Sequence, residues 1–272
     1  MQKRSLELSC YILGAGAFGV FLRWLQDQLA FDDNGLAERS VFHILVPLFI
    51  LTVGFVFLRF VDNIKNKRFY LPEDYCEAFE NKGRLFAVAR WTLGVIMCVG
   101  AVILLATCEV EKEANFLRVL AVLAFLSGIS FPILLTAANH SPNNYNFLSI
   151  LSSFPILLFA VWLITSYKIN DINSVVWSFS IEIITVILAM LAFFRIAGFA
   201  FGAPNVWRSL FMSMFSASMC IMTLADTRNL GMQVIIFAAA MMMVMYNWIM
   251  IKNLRYRSIQ REEPVDDGFE RL

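Results

Sequence analysis

Residues 175–196 read VVWSFSIEIITVILAMLAFFRI, an apolar run interrupted by two charges, Glu182 and Arg195. An α-helix needs about 20 such residues to cross a hydrocarbon layer of roughly 30 Å. A lone strand would leave its backbone N–H and C=O groups without partners in lipid, whereas a helix satisfies them internally. The stretch therefore reads as a transmembrane helix with one acid, Glu182, about two turns in from one face. A carboxyl group at that depth is costly, so Glu182 is expected to be protonated or paired and to face other helices.

Seven further runs have the same character. The predicted spans cover about 6–27, 41–61, 85–107, 115–137, 147–167, 175–196, 206–226 and 232–252. The expected fold is all-α, a polytopic transmembrane helix bundle of about eight spans forming one domain over residues 1–253, with a flexible cytoplasmic tail over 254–272. Composition agrees: 59% of the 272 residues are hydrophobic and 16% charged, with a mean hydropathy of +0.68. A soluble domain carries about 25% charged residues, so the lipid bilayer is the main expected partner. A net charge of +1 implies no bulk attraction to nucleic acid. Lys3 and Arg4 followed by Ala15-Gly16-Ala17 imitate a secretory signal, but the apolar sequence continues through Phe18 to Leu22, so a retained first helix is expected.

Lysine and arginine placement orients the bundle. With the N-terminus inside, 16 basic residues fall on inner segments and 6 (Arg23, Arg39, Lys112, Arg118, Lys168 and Arg228) on the outer side. An even number of spans also returns the C-terminus to the inside. The longest inner connection, 62–84, opens with Lys65, Lys67 and Arg68 and predicts a short helix after Pro72, with Glu73 and Asp74 in its positively polarised first turn. Phe69, Tyr70, Tyr75 and Phe79 are expected against the membrane interface. This connection and the tail are the expected docking surfaces for a protein partner.

Two constellations stand out at membrane depth. Around Glu182, the outer layer gathers Arg23, Gln26, Asp32, His43 and Trp177, with Arg23 as the expected direct partner of the acid because its long stem reaches inward. Such a cluster is either an interhelical clamp or a proton-coupled or ligand site. The second is the hairpin of spans four and five, where Ser130-Phe131-Pro132-Ile133-Leu134-Leu135 is echoed by Ser153-Phe154-Pro155-Ile156-Leu157-Leu158. Each proline removes a backbone donor and frees a carbonyl one turn earlier; Ser127, Gly128, Ser130, Ser152 and Ser153 would re-satisfy those groups or permit close helix approach. Paired interruptions can mark transporter sites, and the uncharged loop from Asn139 and His140 to Asn146 would feed this one; two ordinary kinks are the plainer reading.

Other chemistry has little support. Cys10, Cys76, Cys98, Cys108 and Cys220 lack metal or redox spacing and are expected to be small buried apolar residues. Ten of the thirteen methionines lie from Met212 onward, but the run Met241-Met242-Met243 points around the helix with no histidine beside it, which suits flexible packing better than a Cu(I) path. His43 and His140 are predicted on opposite faces, and no paired aspartates appear at membrane depth. No catalytic set, metal site or cofactor is predicted. Three functions remain, in order: a non-enzymatic accessory or interaction protein, a small-solute transporter with or without proton coupling, and a membrane-embedded enzyme acting on a lipid or quinone. Transport requires a water-filled path from the Glu182 layer to the proline hairpin; an accessory role requires a dry bundle.

The first hairpin carries a resemblance. Gly19-Val20-Phe21-Leu22-Arg23-Trp24-Leu25, then Leu29-Ala30-Phe31-Asp32 and Gly35-Leu36, resembles the start of a group of uncharacterised multi-pass membrane proteins of Firmicutes over about residues 14–36. The resemblance implies a bacterial plasma-membrane location and that Arg23, Asp32 and Gly35 act together at the outer surface. It implies no activity.

Overall fold

Most of the apolar runs become helices slightly longer than themselves, because polar flanks continue the hydrogen-bonded ladder beyond the hydrocarbon; the 206–226 run instead ends its α-helix at Met222 and continues as a 3-10 turn. In a computed structural model, which describes residues 2–30, 41–66, 69–72, 74–108, 114–139, 145–170 and 176–256, the chain is an all-α bundle. Its helices are α1 (Gln2–Leu29), α2 (Phe42–Lys65), the short α3 (Tyr75–Phe79), α4 (Arg84–Thr107), α5 (Ala114–Ala137), α6 (Tyr145–Asn170), α7 (Val176–Ala200), α8 (Val206–Met222) and α9 (Leu230–Asn253). All except α3 are long and apolar enough to cross a membrane, eight in number among the described residues. The protein is an integral, multi-pass membrane protein by this architecture.

Helix α9 is apolar around its whole circumference, which is the signature of a helix buried on all sides. Met232, Ile235, Ile236, Ala239, Met242, Met243, Tyr246 and Met250 are all buried there, packed against α4, α8, α1 and α3. Helix α2 is the opposite case. It leans on α1 and α8 and turns Ile44, Leu48, Leu51 and Phe55 outward, toward lipid. The late methionines fill the centre, since Met214, Met219, Met222, Met242, Met243 and Met250 are buried.

Small residues decide the closest approaches. A Cβ added to Gly231 of α9 would lie 2.6 Å from the backbone nitrogen of Leu104 in α4, and one on Gly94 of α4 would lie 2.6 Å from the Gly128 carbonyl oxygen of α5. Pro132 removes the amide that would normally bond that carbonyl, so the bare Gly94 backbone covers the freed group. Neither proline breaks its helix: α5 runs on through Pro132 and α6 through Pro155.

The connections are locally specified. Helix α7 ends with Gly202 at φ 72° and the Ala203 amide bonded to the Gly198 carbonyl at 2.8 Å, a left-handed cap that glycine adopts at little cost. Asn205 then caps α8 by accepting from the Arg208 amide at 3.2 Å. At the other end of α8 the chain tightens into a 3-10 turn, Thr223–Ala225, and Asn229 caps α9 by accepting from the Gly231 amide at 2.9 Å.

Three expectations need correction. Tyr75 and Phe79 do not lie against the membrane interface: α3 turns into the end of the bundle, where both are buried. Phe79 stacks edge-on against Phe199 at 5.3 Å and Tyr246 at 5.1 Å. Burial beside Tyr246 pushes the Tyr75 phenol well above its usual range. The tail is anchored at its start, because Arg255 and Tyr256 pair antiparallel with Tyr70 and Phe69; residues 257–272, with Glu73, lie outside the described residues. Finally, the cysteines are not uniformly buried: Cys108 and Cys220 are, Cys76 and Cys98 are half-buried, and Cys10 is exposed on α1.

Candidate functional site

At the end of the bundle opposite α3, five polar side chains from α1, α7 and the α8–α9 connection meet inside an apolar frame. The sequence expectation of a direct Arg23–Glu182 pair is replaced by a four-charge chain. Arg23 Nε donates to Asp226 Oδ1 at 2.7 Å. The other oxygen of Asp226 accepts from Arg228 Nη2 at 2.6 Å, and Arg228 Nε lies 3.3 Å from Glu182 Oε2. The side chains of Arg23 and Arg228 are 3% and 5% exposed and those of Asp226 and Glu182 both 13%, so all four charges are withdrawn from solvent. Two cations and two anions cancel, which is what permits their burial.

The physical reason for the rerouting is the turn after α8. The 3-10 segment brings Asp226 inward, where Gln233 Nε2 donates to its backbone carbonyl at 3.1 Å, and puts a carboxylate against Arg23. The guanidinium of Arg228, two residues on, is then carried to Glu182. Neither Asp226 nor Arg228 entered the predicted site. The signal was present: Asp226-Thr227-Arg228-Asn229 is a short polar turn of mixed charge between two very apolar helices.

Each end of the chain of charges is tied into a further helix. Glu182 Oε1 accepts from Trp162 Nε1 at 3.0 Å and from Ser166 Oγ at 2.8 Å, both on α6. Arg23 Nη1 donates to Gln26 Oε1 at 2.7 Å, and Gln26 Nε2 is 3.4 Å from His43 Nδ1 at the start of α2. His43 Nε2 lies 3.1 Å from the Ala30 carbonyl; a carbonyl only accepts, so this nitrogen carries the proton and Nδ1 accepts from Gln26. Gln26, His43, Arg23 and Glu182 therefore belong to one network, joined through Asp226 and Arg228. Asp32 and Gly35 lie outside the described residues, as does the side chain of Trp177.

The network holds one incomplete group. Among the described residues Arg228 Nη1 has no hydrogen-bond partner, and the Nε contact with Glu182 is an ion pair without hydrogen-bond alignment. An unsatisfied buried donor is costly, so this guanidinium has capacity for one more acceptor.

The proline hairpin holds no such constellation among the described residues. Ser130 Oγ donates to the Ser127 carbonyl at 2.9 Å and Ser153 Oγ to the Ser149 carbonyl at 2.9 Å, each on its own helix. His140 lies outside the described residues. One face of α6 carries Pro155, Phe159, Trp162 and Ser166 at successive turns. Between the proline and the Glu182 layer, Phe159 stacks on Trp162 at 5.9 Å and on Phe193 of α7 at 5.7 Å; Phe159 and Trp162 are fully buried. Apolar rings thus occupy the face of α6 between Pro155 and the groups that bind Glu182.

Fold and site together define a polytopic helical membrane protein with a neutralised charge network at one end. No family model matches the chain, and none of the curated proteins or solved structures compared with it is significantly similar.

Proposed function

We propose that this chain is a non-enzymatic accessory or interaction protein of a bacterial plasma membrane, with its basic end cytoplasmic, related to the Firmicutes group that its first hairpin resembles. One observation carries the reading. The Trp162–Phe159–Phe193 stack packs apolar rings along α6 between Pro155 and the Glu182 layer, which supports a dry bundle, while Glu182 itself is clamped by Arg228, Trp162 and Ser166. A carboxylate held in this way serves packing and specificity of helix arrangement. The partner-facing surface at the basic end consists of the exposed residues around α3, Asp74, Glu77 and Lys82, since Tyr75 is buried.

Two measurements test this. Proteoliposomes given a proton gradient should show the same proton leak with wild-type protein and with Glu182→Gln; a gradient-driven flux abolished by that substitution overturns the reading. Photo-crosslinkers at Glu77 and Lys82 in native membranes should trap one and the same protein adduct from both positions, and lipid adducts alone count against it. A second reading, a small-solute site at the Glu182 end, is favoured by the unpartnered Arg228 Nη1. A thermal shift by small carboxylates that disappears in Arg228→Gln would select it.

A further inference from the structure

Helix α1 is drawn to α8 on one side and stands away from α2 on the other. Its Gly16 and Gly19 pack so closely on Ile221 and Met222 that an added Cβ would sit 2.7 and 3.0 Å from those side chains. On the opposite side, a Cβ added to Gly14 meets nothing within 4 Å. The resulting groove between α1 and α2 comprises a deeper cavity of ≈ 280 Å³ and one of ≈ 490 Å³ nearer the basic end, both bordered by Tyr11, Val56 and Phe57. We propose that this groove is a binding site for one phospholipid bearing a primary amine, of the phosphatidylethanolamine type, in the leaflet at the basic end.

The distribution of polarity along the groove matches such a lipid. Glu7, Arg59 and Asn63 border only the cavity at the basic end. Glu7 lies five residues after Gln2 and Arg59 six before Lys65, so each sits about 8 Å inside its helix end at 1.5 Å per residue. That is headgroup depth for helices longer than the hydrocarbon layer. The deeper part is lined by Cys10, Gly14, Val53 and Val56, and the hydroxyl of Thr52 is turned back to its own Leu48 carbonyl at 2.8 Å, leaving an apolar wall for an acyl chain. Arg59 is held over the Phe55 ring at 5.0 Å, and neither it nor Glu7 has an ion-pair partner among the described residues. A guanidinium and an amide suit the phosphate, and a carboxylate suits an ammonium with N–H donors. A choline headgroup offers Glu7 no hydrogen bond, and an anionic headgroup without an amine is repelled by it.

The test is native mass spectrometry of full-length protein released from nanodiscs of equal phosphatidylethanolamine and phosphatidylglycerol. The wild type should retain one phosphatidylethanolamine in preference to phosphatidylglycerol. Glu7→Gln should lower that preference roughly tenfold, the weight of one charge-assisted hydrogen bond, and Arg59→Gln should weaken retention of both lipids. Gly14→Leu, which fills the groove where space is open, should expel the lipid with an unchanged melting temperature. Equal retention of both lipids by the wild type, or retention undiminished in the groove-filling variant, means annular lipid only and overturns the proposal. If Gly14→Leu fails to fold, the two exposed polar substitutions decide: no change in either overturns it.

Discussion

Arg228 is the residue on which the charge network turns. It neutralises Glu182 and shares Asp226 with Arg23, so its loss strands one buried carboxylate whereas the loss of Arg23 leaves Asp226 with a cation. Removing one partner of a buried pair typically costs 3–5 kcal/mol, while removing both is far cheaper. Arg228→Ala should therefore lower stability in detergent by about 3 kcal/mol, and adding Glu182→Gln should recover more than half of it. Thermal unfolding followed by Trp fluorescence measures both. Equal destabilisation by the single and double variants would show that Glu182 does not depend on Arg228. Cys76 offers a titration test at the same scale: burial, with the charges of Asp74 and Glu80 beside it, pushes its thiol above the usual range. Less of it is thiolate at neutral pH, so its maleimide labelling should lag behind that of a free thiol and catch up only as the pH rises above the usual thiol range.

Helix pairing rests on small residues, since hydrocarbon is as apolar as the side chains and supplies no hydrophobic drive between helices. The α4–α9 contact admits Gly231 against the Leu104 backbone, which cannot move aside as a side chain can. Gly231→Ala should cost roughly 1–3 kcal/mol from overpacking. Gly14→Ala should be neutral or stabilising by up to about 1 kcal/mol from helix propensity, because nothing stands near its Cβ. Unfolding of the two variants in the same detergent separates a packing glycine from one that keeps a groove open. The prolines belong to this scale as well. Read along the chain, Pro132 and Pro155 looked like paired interruptions; in space, α5 and α6 run through them and the neighbouring serines bond their own helices.

The whole molecule is closed at its basic end by α3. Phe79, fully buried among Phe199 and Tyr246, is the plug's main anchor; Asn253 Nδ2 holds it from above by donating to the Ala78 and Glu80 carbonyls at 3.0 Å. Phe79→Ala should cost about 3–5 kcal/mol and should accelerate maleimide labelling of Cys76, reporting release of α3. Unchanged labelling together with lost stability would mean that the cavity collapses with α3 in place. Pairing of Phe69 and Tyr70 with Tyr256 and Arg255 puts the α2–α4 connection and the end of α9 on one side. Reporter fusions within 66–83 and after Tyr256 should therefore both read cytoplasmic, consistent with the 16 to 6 distribution of basic residues.

Number, position and type of the spans were legible in the chain itself, because the energy of placing a residue in hydrocarbon is set by that residue and its near neighbours. The same rule singled out Glu182 as costly at its depth and placed Arg23, Gln26 and His43 in the same outer layer. Which cation answers which anion was not legible, for pairing depends on distances between helices far apart in sequence: Arg23 meets Asp226 across 203 residues. The inward turn of α3 escaped for a related reason. Tyr75 and Phe79 are amphipathic or apolar rings that suit an interface and a core equally, and only the space left between α7 and α9 at the basic end chose the core.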